Sequence, residues 1–256
     1  MYPRDTVDLA LTLSSIGVLD RENAQICGVS IQSIRHWRRG DRRNIDAPAR
    51  QEKPNCPRCH GRFLDQAAYS YLLGLYLGDG HIVRAPRTYL LAIACADAWP
   101  GLVDEARRAM SLVMPSSSVF LRSRRDVACT YVSSVSKHWR CLFPQHGPGR
   151  KHERKIALEA WQQVIVNAHA AEFARGLFHS DGCRAINRIR RPVIGGERWY
   201  EYPRYFFDNH SADILGLCGE VLDRLGVAWR FSKPTTISVA RRDAVARLDA
   251  VVGPKY

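Results

Sequence analysis

The sequence predicts an α+β fold: two pseudo-symmetric αββαββα repeats, preceded by a small all-α unit of helix-turn-helix type. Three observations predict it. The stretch Leu72-Leu73-Gly74-Leu75-Tyr76-Leu77-Gly78-Asp79-Gly80 returns as Ala174-Arg175-Gly176-Leu177-Phe178-His179-Ser180-Asp181-Gly182, 102 residues later. A later helix in each half carries apolar residues at one spacing, Leu102, Val103, Ala106, Met110 and Val113 in the first, Ile214, Leu215, Cys218, Leu222 and Leu225 in the second. The order of helix-like and strand-like segments around these landmarks is also the same in both halves, the signature of an internal repeat.

Each copy of the nine-residue stretch reads as the last turns of an apolar helix. Asp65 is a suitable N-cap for the first, and Gly80 and Gly182 suit a left-handed residue just past the helix end. Small residues recur four apart: Ser70, Gly74 and Gly78 on one helix, Gly176 and Ser180 on the other. That spacing makes a side-chain-poor stripe, which lets two helix backbones approach closely. A helix-interior glycine costs about 1 kcal/mol relative to alanine. Two helices bearing that cost at one offset are expected to pack on each other through Gly74, Gly78, Gly176 and Ser180. Asp79 and Asp181 then lie side by side at one end. Paired carboxylates at helix C-termini oppose both the helix dipole and each other. Hard divalent cations relieve both, and Mg²⁺ is the first candidate, held by Asp79 and Asp181.

Both stretches resemble the LAGLIDADG motif of the dodecapeptide (DOD-type) homing endonucleases. Gly74, Leu75, Asp79 and Gly80 match in the first copy, Gly176, Leu177, Asp181 and Gly182 in the second; the sixth motif position is not acidic in either (Leu77, His179). The resemblance is to the two-motif monomeric form and spans residues 65–253. It implies a sequence-specific endonuclease that cuts double-stranded DNA at a long asymmetric site by metal-dependent phosphodiester hydrolysis. It implies that Asp79 and Asp181 carry the metal, and that each half contributes a curved antiparallel sheet to a saddle over the major groove. It further implies a basic catalytic residue where the closing helix of each half begins, by position Lys137 and Arg241. The main alternative is a non-cleaving DNA-binding transcriptional regulator on the same core joined to a helix-turn-helix. Such regulators tend to have lost the acidic pair, which this chain retains. An RNA-processing maturase is a third reading compatible with the charge.

The 256-residue chain has a formal net charge of +13 and a pI near 9.7, a basic surface that points to a polyanion, nucleic acid first. Its 46% hydrophobic and 25% charged residues are ordinary for a globular protein. No apolar run approaches the roughly 20 residues of a membrane span. No secretory signal opens the sequence, and the eight cysteines are scattered, so a reduced, cytoplasmic protein is expected, and the resemblance to the two-motif form implies a monomer. The ends lack the terminal nucleophile and His-Asn pair of a self-splicing intein.

In chain order, residues 1–40 are expected to form the helical unit. Val7, Leu9, Leu11 and Leu13 mark a first helix, 22–27 a second, and Ser30 caps a third over 31–39. Ile31, Ile34 and Trp37 are expected inside; Gln32, Ser33, Arg35, His36 and Arg39 face outward, as on a recognition helix. A three-helix cap with a solvated basic face would look the same. Residues 41–64 form a linker ending in Cys56-Pro57-Arg58-Cys59-His60. Cys56 and Cys59 can begin a zinc site, but such a site needs four ligands and no second Cys-x-x-Cys follows, so a reduced, metal-free knuckle is the expectation. The match to c-type haem attachment is set aside for want of an export signal.

The nuclease-like domain is placed at 65–256, with repeat one over 65–144, a connector over 145–169 and repeat two over 170–253. Repeat one is expected to contain a loop at 81–87, strands at 88–95, 118–122 and 127–135, and a closing helix at 137–143. A helix at 158–169 lies in the connector. Repeat two is expected to have strands at 183–189, 204–209, 227–232 and 236–240 and a final helix over 242–252. The second repeat carries ten extra residues, assigned to a loop at 190–203. Because strands alternate faces, Arg122, Arg124, Arg184, Arg188, Arg190, Arg204 and Arg230 are candidates for contact with phosphate or guanine.

Overall fold

The computed structural model describes residues 2–40, 55–194 and 196–255; most of the expected linker lies outside the described residues. The chain divides into two compact units, Met1–Lys53 and Pro54–Tyr256.

The first unit is three helices, α1 (Arg4–Ser15), α2 (Asp20–Ile26) and α3 (Ile31–Arg38). Ser30 caps α3, its Oγ accepting from the Ser33 N–H. The core is small: Ala10, Ala24 and Ile34, with Cys27, Val29 and Trp37 packed around them. Asn23 locks it by donating from Nδ2 to the Ala10 carbonyl (2.7 Å) and to Ser14 Oγ (2.9 Å). Ile31, expected inside, is 38% exposed, because so small a core leaves no apolar surface to cover the first turn of α3.

The second unit holds both repeats. A short helix α4 (Pro57–His60) precedes α5 (Gln66–Leu77), whose N-cap Asp65 accepts from the Ala68 N–H (2.9 Å). Next come β1 (Gly80–Ala85), β2 (Thr88–Ala96), α6 (Pro100–Val113), β3 (Val119–Arg124), β4 (Cys129–Ser136) and α7 (Trp139–Leu142). The connector carries α8 (Ala160–Ala168), which meets α9 (Ala170–Ser180) at His169. The second repeat then runs β5 (Gly182–Val193), β6 (Gly196–Asp208), α10 (Ala212–Arg224), β7 (Arg230–Lys233), β8 (Thr236–Val239) and α11 (Arg242–Val252).

The two sheets have one topology, β1-β2-β4-β3 and β5-β6-β8-β7, with every neighbouring pair antiparallel. One core joins them: Leu91, Ile93 and Val132 from the first sheet, Tyr205, Phe207, Ile237 and Val239 from the second, with α5, α6, α9, α10 and α11 packed against these faces. The register follows the pleat. Leu91 pairs with Ser134 and Ile93 with Val132 on the helix-covered face, whereas Ala92 and Ser133 share the opposite face.

Two segments expected as loops are strands. Residues 81–87 contain most of β1 and a two-residue turn between Ala85 and Thr88; alternating burial marks the strand, but its outward His81 and Arg84 obscure it in the sequence. The ten extra residues lengthen the β5–β6 hairpin to strands of 12 and 13 residues, against 6 and 9 in β1 and β2. This part of the hairpin is largely exposed on both faces, so it has no apolar alternation to read. Its prolines are tolerated because β5 is an edge strand and β6 pairs with β8 only from Tyr205 onward, beyond Pro203.

Gly80 and Gly182 also differ from expectation. Neither has positive φ; both open strands. Glycine is needed there for close approach instead: a Cβ on Gly80 would lie 2.5 Å from Tyr76 Cα, and one on Gly182 2.6 Å from Phe178 Cα.

Candidate active site

Helices α5 and α9 pack backbone to backbone. A Cβ on Gly74 would lie 2.6 Å from the Phe173 carbonyl oxygen and 2.7 Å from the Leu177 nitrogen; one on Gly176 would lie 3.0 Å from Gly74 Cα. A Cβ on Gly78 would run into Ser180 and come within 3.0 Å of Asp181 Oδ2. Polar ties clamp the pair. Ser70 Oγ donates to the His169 carbonyl (2.9 Å), and the Tyr71 hydroxyl meets His179 Nδ1 (2.9 Å). His179 Nε2 lies 2.9 Å from the Val252 carbonyl, which only accepts, so Nε2 carries the proton and Nδ1 accepts from Tyr71. Both needs are met by the neutral imidazole, and burial pushes its pKa down to about 4.

This packing delivers Asp79 and Asp181 to one end. Asp79 follows the α5 C-cap Gly78, and Asp181 is itself the C-cap of α9. Their backbones are held alike: the Asp79 carbonyl accepts from the Ala94 N–H of β2 and the Asp181 carbonyl from the Asp208 N–H of β6, both at 3.2 Å. Asp79 stays open to solvent, although the protein crowds it closely enough that desolvation raises its pKa. Desolvation, then repulsion from Asp79, pushes Asp181 up to about 6. Asn209 opposes that rise, donating from Nδ2 to Asp181 Oδ2 at 2.6 Å, while its own Oδ1 accepts from the Ser211 N–H.

Two lysines that the sequence reading missed act on the carboxylates. Lys151 Nζ donates to the carbonyls of Tyr76 (2.5 Å), Leu77 (2.9 Å) and Gly78 (2.6 Å), capping the negative end of α5. Burial pushes its pKa down to about 8, against the pull of Asp181 and Asp79. Lys255 Nζ donates to the Gly182 carbonyl (2.5 Å), and its charge lowers the pKa of both aspartates. A sequence signal existed: the lysines trail their aspartates by 72 and 74 residues. Lys137 is exposed just ahead of α7, and Arg241 is the exposed N-cap of α11, 3.3 Å from Asp243.

The helix-free face of each sheet carries polar and basic side chains. Phe120, Arg122 and Arg124 of β3 pair with Ser133, Tyr131 and Cys129 on that face, and Arg124 is paired with Asp126 (2.6 Å). In the second sheet Arg204 donates to Ser238 Oγ (2.6 Å), and Arg230 is opposite Ser238. The other three arginines lie on the opposite face with acidic partners: Arg184 with Asp249 (2.7 Å) of α11, Arg188 with Glu201 (2.5 Å) and Arg190 with Glu197. On the helix-free side the long hairpin instead presents Arg191 opposite Arg198, both over Tyr200, and Asn187 bonded to the Tyr202 hydroxyl (2.7 Å). Arg191 and Arg198 were hidden inside the presumed loop.

In the first unit, Gln32, Arg35, His36 and Arg39 are exposed and Ser33 is half-buried. Gln32 Nε2 and His36 Nε2 are 3.3 Å apart, and Arg35 (3.2 Å) and Arg38 (2.8 Å) both pair with Asp20 of α2. Among the described residues, no helix is long and apolar enough to cross a membrane.

No protein-family model matches the chain, and no curated protein matches it. Solved structures do. The homing endonuclease I-WcaI bound to its DNA recognition sequence is 13% identical with a TM-score of 0.46, over 76% of this chain and 84% of that one. The LAGLIDADG meganuclease I-AabMI bound to uncleaved DNA is 9% identical with a TM-score of 0.42, over 72% and 82%. The LAGLIDADG homing endonuclease I-GzeII in complex with its DNA target is 8% identical with a TM-score of 0.40, over 73% and 84%. The chain thus bears two LAGLIDADG-like motifs on a packed helix pair between two sheets of equal topology, and it is similar to solved LAGLIDADG homing endonucleases.

Proposed function

We propose that this chain is a sequence-specific endonuclease that hydrolyses double-stranded DNA at a long asymmetric site with divalent metal ions. The observation that carries the reading is the pair Asp79 and Asp181, brought together at the ends of two packed helices against desolvation and mutual repulsion. A pair set there for stability alone would be a poor choice, since a carboxylate at a helix C-terminus opposes the dipole.

The donor set fits a hard cation: carboxylate oxygens, one of them oriented by Asn209. Asp79 and Asp181 would hold Mg²⁺, which when bound neutralises charge on a phosphodiester and activates water. The protein's own part is positional. Asn209 fixes the Asp181 carboxylate, while Lys151 and Lys255 hold the motif ends and supply positive charge to a site meant for phosphate. Arg122, Arg204, Arg230, Arg191 and Arg198 would contact the duplex from the helix-free faces, the outward residues of α3 would add contacts, and one chain would supply both halves of the site.

The test is cleavage of a fragmented genomic DNA library with Mg²⁺, comparing wild type with Asp181→Asn and Asp79→Asn and sequencing the ends. Recurrent double-strand ends from wild type alone, with DNA still retained by both variants, support the proposal. Retention without cutting by wild type refutes the enzyme and leaves a DNA-binding regulator.

A further inference from the structure

We propose that Cys56, Cys59, His138 and Cys141 form a structural zinc site that fastens the segment before the first motif helix to the end of repeat one. The expectation of a metal-free knuckle rested on two missing ligands. The fold supplies them from a position some 80 residues along the chain: the ligand atoms of all four side chains lie within 4.8 Å of one another. Tetrahedral zinc, with bonds of about 2.3 Å to sulfur and 2.0 Å to nitrogen, separates its ligand atoms by about 3.5–3.8 Å. His138 Nδ1 and Cys141 Sγ are already 3.8 Å apart.

Both halves of the cluster are shaped for metal. Cys56 is the N-cap of α4 and its Sγ accepts from the Cys59 N–H (3.3 Å), a bond that strengthens when the sulfur becomes a thiolate. Pro57 opens the turn and Gly61 closes it in the left-handed region (φ +60°). The opposite pair repeats the spacing as His138-x-x-Cys141 across the start of α7, with the His138 N–H donating to Ser136 Oγ (3.2 Å). Three thiolates and one imidazole is a closed structural donor set with no open position for substrate. The adjacent His60 is accounted for otherwise: its Nδ1 accepts from the Cys56 N–H (3.1 Å), and its ring stands edge-on to His138 at 5.1 Å. The three cysteines and the histidine of the cluster all lie in the second unit, and the thiols are free.

The position shows what the metal would do. Helix α4 has four residues and buries none of them, and Phe63 beyond it is 87% exposed, so apolar packing hardly holds this segment. Helix α7, by contrast, is anchored through buried Trp139 and Leu142, and the Leu142 carbonyl accepts from Tyr69 of α5 (2.5 Å). A zinc ion here ties the entry to α5 onto α7 and closes a long chain loop. The site is separate from the carboxylate pair, and the proposal stands or falls independently of DNA cleavage.

The test is metal analysis of the full-length protein purified with zinc in the medium, with replacement of the metal by Co²⁺. Expected are about one zinc per chain and a cobalt spectrum with visible bands of tetrahedral coordination and near-ultraviolet charge transfer from three thiolates. Cys59→Ser and Cys141→Ser should lose zinc, whereas His60→Ala, Cys183→Ser and the Asp79→Asn, Asp181→Asn double variant should keep it. Zinc-free wild type, zinc retained by Cys141→Ser, or zinc lost from the double aspartate variant would overturn the proposal. The wild-type cobalt spectrum needs no variant to fold: absence of thiolate charge transfer refutes the site on its own.

Discussion

Replacing Gly176 with alanine tests whether the two motif helices touch through their backbones. The new Cβ would collide with the Tyr71 carbonyl oxygen and lie 3.0 Å from both Gly74 Cα and Leu75 N. Every one of these neighbours is backbone of α5, so none can swing aside; relief requires moving one helix off the other. Overpacking of this kind costs typically about 1–3 kcal/mol, and rigid neighbours place it at the upper end. Alanine returns about 1 kcal/mol of helix propensity. The net expectation is a loss of about 2 kcal/mol. Gly216→Ala is the control: it lies in α10, is exposed, and its Cβ would meet nothing within 4 Å. Only the propensity term acts there, so the change should stabilise by about 0.5–1 kcal/mol. For a unit of about 200 residues, 1 kcal/mol moves Tm by about 2–4 °C. Gly176→Ala should therefore melt about 4–8 °C below wild type and Gly216→Ala slightly above it, by thermal and urea unfolding followed through tryptophan fluorescence. A Gly176→Ala protein as stable as wild type would refute the close approach, and with it the reason Asp79 and Asp181 meet.

Neutral His179 makes stability fall in acid: with a folded pKa of about 4 against about 6.5 unfolded, its contribution is intact above pH 6.5 and drains as pH drops towards 4, by up to about 3 kcal/mol. Urea midpoints from pH 7 to 4 should show this slope in wild type and a shallower one in His179→Gln; equal slopes would show that His179 is not the group titrating. Lys151→Met orphans three carbonyls and removes a cation, so it should destabilise by about 2 kcal/mol and move the Asp181 carboxyl above its present value near 6; an Asp181 titration unchanged by carboxyl NMR would contradict the coupling. In DNA binding, Arg204→Ala should lower the slope of log affinity against log salt by about one phosphate contact, while Arg188→Ala, already paired with Glu201, should leave it unaltered; the reverse order would assign the duplex to the other face.

What could be read in the sequence follows from which constraints are local. The motif helices, the Asp65 and Ser30 caps and the helices α6 and α10 were legible because capping and periodic burial act over four to eleven residues. Gly80 and Gly182 were recognised as necessary glycines for the wrong reason: a left-handed cap and a close contact both demand glycine, and only the neighbours Tyr76 and Phe178 distinguish them. The β5–β6 extension was illegible because neither of its faces is buried, so no pattern of period two is imposed. His138 and Cys141 escaped notice for a different reason. Their link to Cys56 and Cys59 is made by the fold of a whole repeat, and no local rule spans that distance.

Lys151 and Lys255 change how the carboxylate pair should be understood. Burial pushes Asp181 up to about 6 and Lys151 down to about 8, so desolvation drives both towards neutrality, yet the two values bracket pH 7. At that pH Asp181 and Lys151 are both charged, and each motif segment ends on a lysine amino group, Lys151 at the Gly78 carbonyl and Lys255 at the Gly182 carbonyl. Both lysines lower the pKa of both aspartates, which offsets part of the cost of placing two acids at two helix C-termini. A divalent cation added beside these two lysines would shift the local balance towards positive charge, and that charge would attract an anion. A phosphodiester meets that demand. If the chain acts as proposed, this balance of charge would couple metal to DNA: each should bind more tightly when the other is present, and substituting either lysine with a neutral residue should weaken that coupling rather than abolish metal binding itself.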